Sequence, residues 1–424
     1  MTESLPARDT TAPARYQARP AAGITRPVVA LSVVSLLTEL GGAMLVPLRL
    51  LFLVGVLRVS LPLAGLIEGL AAGGGPLLRL LGDRLLRRLP GRWPWIGLGY
   101  MLSNVARPLL ALAGGGAAAL GLAGLDRAGR VLRGAPRDAL LADMTPRAVW
   151  PAVFGLHRVL TTVGATAGPL LAAAVLGGDN DLQPVLLWTA VPGALALIAL
   201  LAAVPGRAAA APAAPGTAPG TPAVSPAAAG PGFAGLDLRT RMALGVATVF
   251  ALGNVSLGFP LLFALGLTQA VGSVPLLYAV YAVVYALLVT PLGVLGERQG
   301  PVRVLLASFL LFAAIHAGFG LARVPWQPWA LFALLGLYAA LAESGRTALM
   351  STVHPLAHGR GRAWLDGLTG GATVLGGLVG GLLWRDFGPG ATFGWAVWLS
   401  LVAVGLLLVW RAWLSGAPPE PPPG

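Results

Sequence analysis

The side chains able to do chemistry in this sequence are few, and they sit inside apolar stretches. Glu68 lies at the middle of the run 61–82 with no basic neighbour in sequence. A carboxylate in that position either carries a coupling proton or is neutralised by an arginine from another helix, such as Arg107 or Arg127. Arg107 stands alone in the run 94–114, where holding an anionic substrate and pairing Glu68 are equally open to it. Asp126 and Arg127 adjoin in the run 117–141, and His157 and Arg158 lie about two turns into 150–176. His157 is suited to relaying a proton or, more simply, to a structural hydrogen bond. Glu343 and Arg346 are three residues apart, the spacing of an ion pair on one helix face. A charge at membrane depth costs roughly 2.5–3.5 kcal/mol on insertion scales, so each of these residues needs a reason to be there.

A second group points to gating. Arg127, Arg130, Arg133 and Arg137 recur at three- and four-residue spacing, which reads as a stripe along one helix. Pro136 ends the stripe, and Asp126 and Asp138 lie within it, which argues against a voltage sensor. Arg137 or Asp138 is expected to pair with Asp83, Arg84 and the opposite half of the chain, closing a cytoplasmic mouth together with Arg87, Arg88, Glu297 and Arg298. Such pairs bias one of two packings by about 1 kcal/mol; anchoring at lipid headgroups is the alternative. Gly164-x-x-x-Gly168-Pro169 combines close helix packing with a proline where a helix must flex, and Gly376, Gly377, Gly380 and Gly381 have the same small-residue spacing. His354-x-x-x-His358 has the spacing of a metal pair on a helix, but Pro355 and Gly359 place it in a loop without a third ligand, so no metal is expected. No HExxH, GxSxG, P-loop or GxGxxG motif is present. Neither an enzyme nor a cofactor is expected.

These residues must be positioned by membrane helices. The 424 residues are 56% hydrophobic and 11% charged, against roughly 25% charged in soluble domains, which excludes an ordinary soluble enzyme. Apolar runs cover 27–53, 61–82, 94–114, 117–141, 150–176 and 183–204, then 242–266, 274–295, 302–322, 326–353, 363–383 and 390–410. That is about twelve spans of the length a bilayer requires. Residues 1–26 form a polar tail expected to be disordered, and 205–240 a Pro/Ala-rich linker between an N-terminal bundle (27–204) and a C-terminal bundle (241–411), followed by a tail at 412–424. There is no cysteine, and all 29 basic residues are arginine. With both termini in the cytoplasm, 18 arginines fall on the inner side and three, Arg58, Arg323 and Arg385, on the outer. That bias fixes the orientation. It also assigns the net charge of +13 to loops facing lipid headgroups rather than to nucleic acid.

The halves echo one another. Gly82-Asp83-Arg84 closes the second run as Glu297-Arg298-x-Gly300 closes the eighth, and Ala139-Leu140-Leu141 ending in Thr145-Pro146 is matched by Ala348-Leu349-Met350 ending in His354-Pro355. On these loop signatures and the Gly164–Pro169 motif, the sequence resembles the major facilitator superfamily (MFS). The segment Asp126-Arg127-x-Gly129-Arg130 through Pro136-Arg137-Asp138 to Asp143, then Phe154-Gly-x-His157-Arg158, is similar to a bacterial permease subgroup reading DRxGKGxRxxPRDALxAD and FGxHRxxDT. The subgroup's intramembrane carboxylates fall on Ala43, Thr161 and Leu257 here, Arg79 and Leu86 stand where loop glycines are expected, and Val131 replaces a glycine. The resemblance implies an all-α integral membrane protein of about twelve transmembrane helices in two pseudo-symmetric six-helix bundles. It implies a monomeric secondary transporter in the bacterial cytoplasmic membrane that moves a small molecule by alternating access. The Gly-Pro motif favours an exporter, with proton antiport if Glu68, Asp126 or Glu343 titrates. The charge-free seventh and eighth runs favour a hydrophobic or weakly polar substrate. The cavity is expected between the first, second, fourth and fifth runs and the seventh, eighth and tenth or eleventh. The missing carboxylates leave open a transporter-derived scaffold or sensor that no longer transports.

Overall fold

The computed structural model describes residues 24–86, 93–178, 180–203, 236, 238–352 and 358–416. Among them the chain traverses a helical bundle twelve times. Helix α1 (Arg26–Leu45) turns at 46–48 and continues as Arg49–Leu51 and a π-helical turn, Phe52–Val56. It is followed by α2 (Leu61–Leu86), α3 (Trp93–Leu109), α4 (Gly116–Asp143) and α5 (Trp150–Leu176), and by α6 in two pieces, Gln183–Trp188 and Ala190–Ala203. Helix α7 is also in two pieces, Leu238–Gly253 and Gly258–Thr268; α8 (Ser273–Gln299), α9 (Pro301–Leu321), α10 (Gln327–Thr352), α11 (His358–Phe387) and α12 (Pro389–Gly416) complete the chain. Among the described residues nine helical segments are long and apolar enough to cross a membrane unaided. The exceptions, α2, α3 and α4, are short of apolar length or carry charges, and these are covered by neighbouring helices. Leu195, Ile198 and Leu201 on α6, Leu287 on α8 and Leu408 and Val409 on α12 are exposed, as lipid-facing side chains must be.

The halves meet mainly along α2 and α11, with α5 against α8 and the end of α1 against the second piece of α7. Glycine makes the first contact possible. A Cβ on Gly65 or Gly377 would collide with the carbonyl of the other, one on Gly73 with the Gly370 carbonyl, and one on Gly69 would lie 2.8 Å from the Val374 oxygen. The backbones therefore touch, as at small-residue crossings in membranes. In chain direction these glycines occupy the half of α2 that follows Leu61, toward the end of the bundle poor in arginine.

One apolar core runs through both halves, and its members from the N-terminal half, among them Met44, Leu48 and Phe52, lie at that end against Phe259, Leu261 and Phe319. Toward the arginine-rich end the N-terminal half has its own core of Val28, Leu31, Val34, Ile96, Tyr100, Leu141 and Val153, with no member from the other half. Joined at one end and separate at the other, the halves enclose a cavity opening toward the arginine-rich end. Gly164 and Gly168 pack against α1, where a Cβ on Gly168 would lie 2.6 Å from the Leu40 oxygen, and α5 remains helical through the buried Pro169.

Candidate functional site

The cavity holds about 550 Å³ and is lined by both halves. That volume suits a drug-sized molecule. From the N-terminal half come Arg49 on α1, Glu68 on α2 and Asp126, Arg127 and Arg130 on α4; from the C-terminal half come chiefly small and aromatic residues, with Glu343 and Arg346 on α10. Against expectation, α5 does not line it, while α9 and α12 do, through Phe309, Phe312, His316 and Trp410. Ala243, Ala247 and Ala251 on α7 and Ala339 and Ala342 on α10 face the space; methyl side chains leave room for the cavity to extend into the C-terminal half.

The charges of the N-terminal half form a network that tethers α1 through α4. Glu68 is buried and accepts two bonds from Arg49, from Nε at 2.6 Å and Nη2 at 3.0 Å. The Ser256 hydroxyl at the break in α7 donates to its Oε2 at 2.6 Å. Neither Arg107 nor Arg127 pairs with Glu68, because Arg49, on the far side of the α1 turn, reaches it first. Arg107 is buried outside the cavity lining: its Nε donates to Asp126 at 2.9 Å and its Nη1 to the Thr38 carbonyl at 2.5 Å. Its single charge is spent on Asp126, which places it behind the cavity wall. Asp126 also accepts from Arg130 at 3.3 Å, and Arg130 reaches Glu39 at 3.4 Å.

The arginine stripe divides by direction. Arg127 and Arg130 face the cavity. Arg133 is buried against α3, donating to Ser103 Oγ at 2.6 Å and lying over the Tyr100 ring at 4.9 Å. Arg137 pairs with adjacent Asp138 at 2.8 Å. The stripe's inner members are thus internal struts, and headgroup anchoring does not describe Arg130 or Arg133. Among the described residues neither Arg137 nor Asp138 pairs with the opposite half in this conformation. Glu297 and Arg298 are exposed at the end of α8. Asp83 and Arg84 lie on α2, but their side chains, like residues Arg87, Arg88 and His354, fall outside the described set, as do the tail 1–23 and the linker 204–235. Among the described residues no group of three or more His, Cys, Asp or Glu could hold a metal ion.

His157 is buried, 3.3 Å from Ser32 Oγ, and does not line the cavity. Exposed Arg158 donates to Tyr285 Oη on α8 at 3.3 Å, a bond between the halves. Glu343 and Arg346 form the ion pair their spacing predicts, at 3.2 Å, and Arg346 also lies 3.7 Å from Asp366. Glu39 and Arg49 are legible in the sequence as charges inside the first apolar run, but their partners are not, and sequence reasoning missed the break in α7. Its signal was the polar insertion Asn254-Val255-Ser256 in an apolar run, just before Gly258. A Cβ on Gly258 would lie 3.2 Å from Glu68 Oε2.

The opposite wall is aromatic. Phe250 stacks on Phe309 at 4.0 Å between centroids, and Phe312 lies 5.1 Å from Phe250 and 4.9 Å from Tyr338. One wall is thus built of fixed charges and the other, apart from the Glu343–Arg346 pair, chiefly of ring faces.

No family model matches the sequence. The chain is 26% identical over 397 residues to an uncharacterized MFS-type transporter of Methanocaldococcus jannaschii, a match covering 91% of this chain and 95% of that one. It is 36% identical over 152 residues to an uncharacterized protein of Mycobacterium tuberculosis, covering 35% of this chain and 37% of that one. Among solved structures it is similar to the nucleoside transporter NupG (TM-score 0.70, 12% identity, 93% of this chain and 100% of that chain). It is also similar to the peptide transporter POT in complex with sulfate (TM-score 0.71, 14% identity, 92% and 94%). A bacterial homolog of the human lysosomal transporter Spinster, in an inward-facing and unoccupied conformation, aligns with a TM-score of 0.66 at 15% identity, over 91% and 95%. The fold is that of the major facilitator superfamily. The chain is a multi-pass membrane protein, similar along most of its length to an MFS-type transporter.

Proposed function

We propose that the protein moves a small molecule across the bacterial cytoplasmic membrane by alternating access, working as a monomeric exporter with both termini in the cytoplasm. The observation that carries this reading is the cavity between the halves, sealed by backbone contact of α2 with α11 at the arginine-poor end and open at the other. The positive-inside rule makes the open end cytoplasmic, so the conformation is inward-open. Arg49, Glu68 and Ser256 then form an outer latch joining α1, α2 and α7. Protonation of Glu68 removes the charge that holds Arg49, which gives the latch a means of coupling to protons. On the inner side Asp83, Arg84, Arg87, Arg88, Arg137, Asp138, Glu297 and Arg298 form the gate that closes when the latch opens. The Gly164, Gly168 and Pro169 motif in α5 supports export. The Asp126–Arg158 segment supports a place in the subgroup with the DRxGKGxRxxPRDALxAD motif.

The test is flux in proteoliposomes. Purified protein should accumulate members of a small-molecule panel in response to a pH gradient, without ligand-independent leak. Binding with no flux under any gradient would reject the transport reading in favour of a scaffold or sensor.

A further inference from the structure

The cavity carries one more positive charge than its own carboxylates balance. Resting on the transport reading above, we propose that its substrate is a monoanion with an aromatic body, the acidic group held by Arg127 and the ring seated in the aromatic chamber of the C-terminal half.

Four arginines and three carboxylates line the cavity. Arg49 is engaged by Glu68, Arg130 by Asp126 and Arg346 by Glu343. Arg127 makes no ion pair among the described residues, and its Nε is buried without a hydrogen-bond partner. Asp126, its neighbour in sequence, has one oxygen taken by Arg107 and the other by Arg130. Both oxygens of Glu68 are likewise engaged, by Arg49 and Ser256. The stem of Arg127 lies on a floor without side chains: a Cβ on Gly75 would fall 3.2 Å from its Cδ, and one on Gly74 3.3 Å from its Cγ. The guanidinium is therefore held in place and left with donors to spend, the arrangement that recognises a carboxylate or another planar anion. A buried donor without an acceptor is costly, so a ligand that supplies one binds by removing that cost.

The rest of the ligand is set by the opposite wall. A space of about 550 Å³ is far larger than a small anion needs. The chamber presents ring faces and edges, Phe250 against Phe309 and Phe312 against Tyr338, and rings pack on rings in offset or edge-on geometry. His316 Nδ1 donates to the Phe312 carbonyl at 2.9 Å. The charges on this side of the cavity, Glu343 and Arg346, pair with each other on α10.

The probes are 2-naphthoate, its neutral amide 2-naphthamide, acetate and laurate, titrated calorimetrically into the full-length protein in lipid nanodiscs. Naphthoate should bind and acetate should not. Naphthamide should bind wild type roughly 10- to 100-fold more weakly than naphthoate, the range expected for loss of a charge-assisted bond. Arg127→Gln should weaken naphthoate by a similar factor and leave naphthamide unchanged, while Arg127→Lys recovers part of the loss. If Arg127→Gln does not fold, the wild-type comparison of naphthoate with naphthamide decides alone. Equal binding of those two, tighter binding of laurate than of naphthoate, or full naphthoate affinity in folded Arg127→Gln would overturn the proposal. Naphthoate binding without counterflow in proteoliposomes would leave the site standing and reject the transport reading instead.

Discussion

A single methyl group at Gly69 should reverse the side to which the cavity opens. The Cβ of Gly69→Ala would lie 2.8 Å from the Val374 oxygen and 2.9 Å from the Thr373 oxygen. Unstrained contacts of this kind need about 3.5 Å, so α2 and α11 must separate by roughly 0.7 Å. Overpacking of this size costs about 1–3 kcal/mol. The cost falls on the conformation in which α2 and α11 touch and is absent when that end is open. The equilibrium between conformations should shift by roughly 5- to 150-fold toward the outward-open state. The chain has no cysteine, so one introduced at Ala247, which lines the cavity, is a unique reporter. An impermeant maleimide should label it more slowly in inside-out vesicles and faster in right-side-out vesicles once Gly69→Ala is added. Unchanged rates on both sides in a normally folded protein would refute the assignment of this contact to one conformation.

Other substitutions separate structural from transport roles. Glu68→Gln should abolish pH-driven accumulation while leaving exchange at equal pH; unchanged pH dependence would remove Glu68 from the coupling machinery. Arg107→Ala breaks a buried pair with Asp126 and should cost about 3–5 kcal/mol, seen as a fall in the thermal unfolding midpoint in detergent, and a wild-type midpoint would contradict a strut role. Gly164→Ala crowds the Leu36 carbonyl and should lower stability by about 1–3 kcal/mol while leaving the sidedness of Ala247→Cys labelling as it was, since α1 and α5 belong to one half. Tyr285→Phe removes the bond from Arg158 between the halves; being exposed, it should change the labelling ratio by no more than the fivefold that about 1 kcal/mol allows.

The positions of the helices were legible because hydrophobic length is a local property. The run 150–176 coincides with α5 (Trp150–Leu176), and the others lie within a few residues of the helices observed. The close packing of the α11 glycines was also legible, since small residues four apart have few other uses in lipid. Pairing was not. Glu68 finds Arg49 because the chain bends at 46–48 and Ser256 because α7 breaks at 254–257, and neither bend has a periodic signature. The stripe of Arg127, Arg130, Arg133 and Arg137 looked like one face, yet each three-residue step turns the side chain back by about 60°. Arg127 and Arg133 therefore point about 120° apart, one into the cavity and one into α3. Arg107 is isolated in sequence but not in space, which is why its reading stayed open between holding an anionic substrate and pairing Glu68.

The two walls of the cavity differ in how freely they can change. On the N-terminal side most charges answer to another, so altering one of them unbalances its partners and is felt as lost stability. On the C-terminal side the rings of Phe250, Phe309, Phe312 and Tyr338 are held by shape alone, and exchanging one for a smaller or larger apolar group disturbs only its neighbours. On the transport reading proposed above, substrate range can therefore drift through α7, α9 and α10 while the charged side stays fixed. Relatives of this chain that handle different molecules should diverge first on the aromatic wall.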